Sequence, residues 1–270
     1  MTAIHTSAVI GKGAQLAPDV VIGPNCAISS GVSIGSGTVL DANVVIDGNV
    51  RIGKNNRFFP GCVIGCRPQI LALTSETPIG GLTIGDGNIF REQVTIHPGM
   101  QPDELTKVGS GNFIMVGAHV GHDCILEDKI VMSNCVHIGG HCKVETGVWL
   151  SGIVGLHQFV TVGRWSYAAG LAGINRDVPP FLIVSGHYPT RIRGVNKRGL
   201  QRAGFTDHQQ QRIFEAYRKL YRQGGTLLEN AKALAQENGL DENVRAMIDA
   251  IIKSSEHQFG RYLETFRKHS

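Results

Sequence analysis

An aliphatic or aromatic residue recurs at every sixth position along most of this chain. The N-terminal series is Ile4, Ile10, Leu16, Ile22, Ile28, Ile34, Leu40, Ile46, Ile52, Phe58 and Ile64. The same spacing returns at Ile84, Phe90 and Ile96, and again from Val108 to Ile174. A fixed six-residue period is typical of a parallel β-helix, in which each hexad forms one short strand and one corner. Three hexads then complete one coil, so the sequence predicts a triangular prism with an aliphatic interior.

A coil of three hexads places residue n directly beneath residue n+18. His119 should then lie beneath His137, His122 beneath Gly140, and Asp123 beneath His141. Glycine often follows the aliphatic residue, and we expect these glycines at the corners because glycine adopts positive φ without steric cost. They are Gly11, Gly23, Gly35, Gly53, Gly65, Gly85, Gly109, Gly121, Gly139 and Gly163.

Two interruptions of the period predict loops, over residues 66–83 and 97–107, and the segment Val178-Pro179-Pro180 predicts the end of the prism. The domains expected are therefore a β-helix over residues 1–190 and a helical domain over residues 191–270. The pattern becomes helical after Thr206. Thr206 with Gln209 and Thr226 with Glu229 have capping-box spacing, and Asp241 precedes a third apolar stripe. Three helices are predicted.

Composition narrows the class of protein. The N-terminus lacks a basic, apolar leader, and no 18-residue apolar stretch is present, so we expect a cytoplasmic protein with no transmembrane segment. Four of the six cysteines occupy inward positions of the repeat, which suits buried thiols in a reducing compartment. Residues 191–270 carry a net charge of +6 and residues 1–190 one of −2. The basic tail would attract anions, but no motif predicts binding to nucleic acid.

Five histidines cluster within 39 residues: His119, His122, His137, His141 and His157. Two chemistries fit them. In acyl transfer, the carboxylate of Asp123 would orient the His122 imidazole as a general base. Gly140, one coil above, could aim a backbone N–H at the same space as an oxyanion donor.

The second chemistry is a zinc-bound hydroxide held by three imidazoles, as in the trimeric β-helix carbonic anhydrases. Their paired ligands are five residues apart, whereas His119 and His122 are three apart and His137 and His141 four apart. This spacing counts against zinc. A non-catalytic scaffold is a third alternative, which the complete set of His122, Asp123 and Gly140 disfavours.

Several motifs together carry a family resemblance: AHVGHDC (118–124), IGGHCKV (138–144), LHQF (156–159), RDVPP (176–180) and GVN (194–196), followed by the helical tail. With these, essentially the whole chain resembles the UDP-N-acetylglucosamine O-acyltransferases of lipid A biosynthesis. The resemblance implies a left-handed coil and a cytoplasmic homotrimer with sites between neighbouring prisms. It also implies transfer of a 3-hydroxyacyl chain from acyl carrier protein to the 3-hydroxyl of the UDP-sugar.

The resemblance also implies residue roles. His122 would be the general base, Asp123 its orienting partner and Gly140 the oxyanion donor. Gly170 would limit acyl length, and Asn196 and Arg202 would contact the nucleotide from the adjoining subunit. The expected substrate-binding residues are Gln69, His97, His119, His141, His157, Gln158, Gly170, Asn196 and Arg202. No metal or resident cofactor is expected, because phosphopantetheine arrives on the donor, and the basic tail would attract the acidic carrier protein.

The chain departs from the family at positions that contact the acceptor. Ile70 and Ala72 stand where the family has Asp and Lys, Arg198 stands for a Glu, and Ala203 for a second Arg. The segment Ser185–Pro189 also differs near the acyl end. The acceptor is therefore either UDP-N-acetylglucosamine held differently or its 3-amino analogue, which would give an N-acyl product.

Overall fold

The computed structural model describes residues 3–267, which form short strands followed by helices. The strands are β1 (Ala3–Ile4), β2 (Val9–Ile10), β3 (Gln15–Leu16), β4 (Val21–Ile22), β5 (Ala27–Ile28), β6 (Val32–Ile34), β7 (Val39–Leu40), β8 (Val45–Ile46), β9 (Val50–Ile52), β10 (Arg57–Phe58), β11 (Val63–Ile64), β12 (Gly81–Ile84), β13 (Ile89–Phe90), β14 (Thr95–Ile96), β15 (Leu105–Val108), β16 (Phe113–Ile114), β17 (His119–Val120), β18 (Ile125–Leu126), β19 (Val131–Met132), β20 (His137–Ile138), β21 (Lys143–Val144), β22 (Trp149–Leu150), β23 (Gly155–Leu156), β24 (Thr161–Val162), β25 (Tyr167–Ala168), β26 (Gly173–Ile174), β27 (Leu182–Ser185) and β28 (Arg191–Val195).

These strands form the three walls of a prism. Wall A runs β1-β4-β7-β10-β13-β16-β19-β22-β25-β27-β28, wall B runs β2-β5-β8-β11-β14-β17-β20-β23-β26, and wall C runs β3-β6-β9-β12-β15-β18-β21-β24. Pairing within the walls is parallel except between β27 and β28, which are antiparallel. The predicted fold class, a β-helix of hexapeptide repeats with C-terminal helices, is confirmed.

The predicted register holds along the walls: His119 pairs with His137, and Lys143 with Thr161. The two loops break the six-residue period in the sequence, but the strands on either side still pair in register. Arg57 pairs with Ile89 across the first loop, and Thr95 with His119 across the second. The chain rejoins wall C earlier than expected, because β12 begins at Gly81 and β15 at Leu105. The six-residue aliphatic column fills the interior, and its members from Ile22 to Ile174 are buried.

The conformational role expected for the recurrent glycines is wrong for nearly all of them. Among those ten glycines, only Gly65 has positive φ. The others are needed because the next coil lies too close for a side chain. A Cβ at Gly121, for example, would lie 2.8 Å from the Gly140 nitrogen, and one at Gly23 would lie 2.9 Å from the Asp41 carbonyl carbon.

Positive φ occurs instead in columns three residues after the aliphatic position, at each corner of the prism. The A–B corner has Asn25, Asn43, Gly61, Gln93, Gly117, Cys135, Ile153 and Leu171. The C–A corner has Gly37, Asn55, Gly87, Gly111, Lys129, Gly147 and Trp165. The B–C corner has Gly13, Asp123, His141 and Phe159 in this column, and Gly48 has positive φ two residues after Ile46.

Four α-helices follow the walls: α1 (Lys197–Arg202), α2 (Asp207–Tyr221), α3 (Leu227–Ala235) and α4 (Glu242–Ser254), and then a 3-10 helix over Tyr262–Phe266. The sequence predicts three of the four, and both capping boxes and the Asp241 cap are present. The short helix α1 was not predicted. Helices α2–α4 bury their apolar stripes against one another and against Phe181, Leu182 and Val195 at the end of the prism. Among the described helices, none combines the length and apolarity needed to cross a membrane.

Candidate active site

Asp123, His141 and Phe159 occupy the left-handed position of three successive coils at the B–C corner, with φ of 59°, 60° and 66°. The first coil has a glycine at this position, Gly13. The same conformation recurs at the other corners, and it turns the chain from one wall to the next. The column projects three side chains from one edge of the prism.

His122 and Asp123 form a close pair. Nδ1 of His122 lies 2.6 Å from Oδ2 of Asp123, and His122 is 9% exposed. The N–H of Met100 donates to the same carboxylate at 3.1 Å, and the N–H of Asp123 donates to Oγ1 of Thr106 at 2.8 Å. Although burial raises the pKa of Asp123, the bonds from His122 and Met100 outweigh it and lower that pKa. An ionised carboxylate only accepts hydrogen bonds, so Nδ1 carries the proton and Nε2 presents its lone pair.

Gly140 lies against the His122 ring. A Cβ at this position would lie 2.5 Å from both Nε2 and Cε1 of His122. Glycine is therefore required by the position of the imidazole. The Gly140 N–H has no acceptor within residues 3–267, which leaves a donor beside the basic nitrogen.

His141 completes the corner. Its ring is perpendicular to that of His122, with centroids 4.9 Å apart, and its Nε2 lies 3.8 Å from Oδ2 of Asp123. Its other side stacks on Phe159, with centroids 4.6 Å apart and planes 4° from parallel. Burial lowers the pKa of His141, so the imidazole is neutral at pH 7.

A row of histidines on wall B adjoins this corner. His97 and His119 have ring centroids 4.9 Å apart, and those of His119 and His137 are 6.3 Å apart. Nδ1 of His119 lies 2.7 Å from Oγ1 of Thr95. Burial lowers the pKa of His119 to about 4 and also lowers that of His97. These two residues are therefore neutral polar groups near pH 7.

His157 and Gln158 extend the site one coil further. Both are exposed, and Nδ1 of His157 donates to the Gln158 carbonyl at 3.0 Å. This bond fixes the tautomer of His157 and leaves Nε2 as an acceptor. Gln69 is also exposed, in the loop between β11 and β12. Arg67 braces that loop by donating to the carbonyls of Thr74 and Thr77 at 2.7 and 2.6 Å.

His122, Asp123 and His141 are three potential metal ligands within 4.8 Å of one another, but their geometry does not fit zinc. Two ligands on one tetrahedral zinc, each at 2.0–2.1 Å, are separated by roughly 3.3 Å. The 2.6 Å between Nδ1 of His122 and Oδ2 of Asp123 is a hydrogen-bond distance. The arrangement suits a base with an orienting carboxylate.

The residues expected to contact the nucleotide lie on another wall. Arg202 and Asn196 line a cavity of about 940 Å³ against wall A. The guanidinium carbon of Arg202 lies 5.9 Å from the centroid of a Trp149 ring. Asn196 is 8% exposed, and its side chain caps α1 by accepting from the Gly199 N–H while donating to the Trp165 carbonyl at 2.8 Å. Its amide therefore already has partners within the chain.

Sequence reasoning missed most of this cavity. Its further lining residues include the aromatic side chains of Trp149, Trp165 and Tyr167 and the cations of Lys129, Lys197 and Arg198. Trp149 and Tyr167 are neighbours in register on wall A, so the 18-residue rule could have paired them.

Gly170 is exposed at the A–B corner, where a Cβ would lie 3.5 Å from the Gly152 carbonyl oxygen. The B–C corner with the His122–Asp123 pair and the cavity against wall A thus lie on different sides of one chain.

Two family models match the chain. The model described as "Bacterial transferase hexapeptide (six repeats)" matches residues 1–36, and the second domain of UDP-N-acetylglucosamine O-acyltransferase matches residues 177–259. With a histidine–carboxylate pair on a hexapeptide β-helix, the chain is an acyltransferase of the hexapeptide-repeat class.

Individual relatives define the family more closely. An acyl-[acyl-carrier-protein]–UDP-N-acetylglucosamine O-acyltransferase from Verminephrobacter eiseniae is 42% identical over 87% of this chain and 89% of its own length. One from Synechocystis is 41% identical over 63% of this chain, and the match spans 60% of that relative. The structure of Francisella novicida UDP-N-acetylglucosamine acyltransferase has a TM-score of 0.87 at 36% identity, covering 93% and 91% of the two chains. This chain belongs to the acyl-[acyl-carrier-protein]–UDP-N-acetylglucosamine O-acyltransferase family.

Proposed function

We propose that the chain transfers a 3-hydroxyacyl group from acyl carrier protein to the 3-hydroxyl of UDP-N-acetylglucosamine, the first step of lipid A biosynthesis. The observation that carries this proposal is the His122–Asp123 pair with Gly140 against its ring. It supplies a base, its orienting carboxylate and a backbone donor at one point. The names of the relatives supply the substrates.

The chemistry needs no covalent enzyme intermediate. Nε2 of His122 removes the proton of the sugar 3-hydroxyl while its oxygen attacks the thioester carbonyl. The Gly140 N–H stabilises the resulting oxyanion, and Asp123 stabilises the imidazolium. When the carbon–sulfur bond breaks, the phosphopantetheine thiolate leaves on the carrier protein and takes the proton from His122. No resident cofactor or metal takes part.

His97, His119, His141, His157 and Gln158 surround this base and are the proposed contacts to the substrates. Gly170 would limit the acyl chain. Arg202 would bind the pyrophosphate, Asn196 would shape the cavity wall, and Gln69 would contact the nucleotide. The His122 base and the proposed nucleotide cavity lie on different sides of one chain. They can meet only if a second copy presents its wall A to the B–C corner of the first. We therefore propose a homotrimer with its sites between prisms.

Two further features fit this assignment. The six cysteines are free, four of them buried, which suits the reducing cytoplasm where acyl carrier protein works. The C-terminal region carries most of the positive charge, which would attract the acidic carrier protein.

The test is acyl transfer by the purified protein from a panel of 3-hydroxyacyl carrier proteins. Acceptors are UDP-N-acetylglucosamine and its 3-amino analogue, each with and without a chelator. Transfer to the hydroxyl acceptor that the chelator leaves unchanged is the expected result. Transfer to the amino sugar alone would mean that Ile70, Ala72, Arg198 and Ala203 redirect the acceptor. No transfer to either would overturn the proposal.

A further inference from the structure

After α4, the described part of the chain returns to the β-helix as an irregular segment. Residues 260–267, here called the C-terminal strap, follow α4 and contain the 3-10 helix. Two backbone-directed bonds tie the strap to the exit from the prism. The Asp177 N–H donates to the Gly260 carbonyl at 2.7 Å, and the Tyr262 N–H donates to Oδ2 of Asp177 at 2.8 Å. The strap is thus fastened to the last coil, not merely to the helices.

A buried ion pair stiffens it. Arg261 is 7% exposed and Glu264 8% exposed, and Nε of Arg261 donates to Oε2 of Glu264 at 2.7 Å. Arg261 also donates to the Asn175 carbonyl at 2.8 Å. A charge-assisted bond between buried partners holds its geometry better than a surface ion pair. These contacts fix the direction in which the strap continues.

The strap continues to the B–C corner that holds Asp123, His141 and Phe159, here called the catalytic corner. Nη1 of Arg267 donates to Oε1 of Glu264 at 3.2 Å, and its guanidinium carbon lies 5.5 Å from the centroid of the Phe159 ring. Phe159 stacks in turn on His141. Arg267, Phe159 and His141 therefore form a continuous row of contacts. At its end, Nε2 of His141 lies 3.8 Å from Oδ2 of Asp123. The mechanism above uses neither Arg267 nor Phe159.

We propose that the C-terminal strap belongs to the catalytic corner, where Arg267 and Phe159 act as positioning residues that hold the His141 imidazole against Asp123 and His122. This inference rests on the proposed function for its kinetic consequence, but its structural content is independent of substrate. The imidazole of His141 makes no hydrogen bond within residues 3–267, so the stacked Phe159 ring is what confines it. The Arg267 guanidinium over the Phe159 ring adds a cation–π attraction that holds this ring in place.

Electrostatics supports the geometry. Burial is the main cause of the lowered pKa of His141, and the positive charge of Arg267 lowers it further. Removing that charge should therefore raise the pKa of His141. This gives a readout that does not depend on turnover.

The experiment compares Arg267→Ala with Arg222→Ala in the full chain. Arg222 is a matched control, since its guanidinium carbon lies 5.7 Å from the centroid of Tyr217, in the helical region away from the corner. Arg267→Ala should lower kcat/KM for acyl transfer roughly twofold to fivefold, with a thermal midpoint like that of Arg222→Ala. Arg222→Ala should keep wild-type kinetics. Phe159→Leu, which removes the stacked ring, should lower kcat/KM further.

The second readout is the titration of His141 by NMR of histidine-labelled protein, with the signal assigned through its loss in His141→Gln. The pKa of His141 should rise in Arg267→Ala and stay unchanged in Arg222→Ala. Unchanged kinetics together with an unchanged titration would overturn the inference, as would equal losses of activity in both arginine variants. If the wild-type protein shows no acyl transfer, the proposed function fails, and the titration alone decides whether the strap acts on His141.

Discussion

A Cβ atom at Gly140 would lie 2.5 Å from Nε2 of His122. Replacing this glycine by alanine must therefore displace the imidazole, because the obstructing atoms belong to the His122 ring. Misplacing a reacting group by about 1 Å costs on the order of 100-fold in rate. Gly140→Ala should lower kcat by roughly that factor with little change in thermal midpoint. Gly224→Ala, where no atom lies within 4 Å, is the control, and a fully active Gly140→Ala enzyme would contradict the proposed packing.

Asp123→Asn should leave the fold intact and remove the charge that orients His122. An amide can donate to Nδ1 and stabilise the wrong tautomer, and losses on the order of 10³-fold or more in kcat follow in comparable triads. Asp128→Asn is the control, because Asp128 accepts the Ser110 N–H at 2.6 Å at another corner. Equal activity of the two variants would remove the orienting role of Asp123.

Arg202→Ala tests the cavity on wall A. A guanidinium that binds a pyrophosphate contributes a charge-assisted bond of roughly 1.5–3 kcal/mol. We therefore expect KM for the UDP-sugar to rise about tenfold or more, with KM for the acyl donor unchanged. Arg245→Ala, on the exposed side of α4, should behave as wild type. A rise in KM for the donor alone would assign Arg202 to the carrier protein.

Gly170→Met tests acyl length. A Cβ here makes an ordinary 3.5 Å contact, so the variant should fold, and the long side chain should fill space that the distal acyl carbons need. The preferred acyl chain should become shorter, with kcat/KM for the original chain reduced at least about tenfold. Gly170→Ala should shift the preference less. An unchanged chain-length profile would move the acyl site elsewhere.

His119 should make stability depend on pH. The pKa of this residue is about 4 when folded and about 6.5 when unfolded. Between these values the unfolded chain binds the extra proton, so stability is lost as pH falls from about 6.5 to about 4. The fall in thermal midpoint over this range should be smaller in His119→Asn. His208 is an exposed histidine of α2, and the thermal midpoint of His208→Asn should fall over this pH range as much as that of the wild type.

The six-residue period predicted the walls, the register and the pairing of His119 with His137, because inward side chains must repeat with the strands. It did not predict why glycine follows the aliphatic residue. Both positive φ and close approach of the next coil favour glycine, and only coordinates separate these causes. The contact of Arg267 with Phe159 was also missed, since the strap has no period and its partner lies far away in sequence. The His122–Asp123 pair could be predicted because its members are adjacent.

The two ends of the prism differ in a way that bears on how it opens. Among the described residues, β1, β2 and β3 are the terminal strands of the three walls and pair on one side only. Ile4 and Val9 there are 43% and 69% exposed, whereas helices cover the other end. In a stack where each coil contacts only its neighbours, opening starts at the end with the fewest contacts and advances coil by coil. Amide hydrogen exchange should therefore be fastest in the first coil and slow progressively toward His122. The corner that holds His122 and Asp123 lies several coils from that end, so thermal opening of the first coil should leave the proposed site assembled.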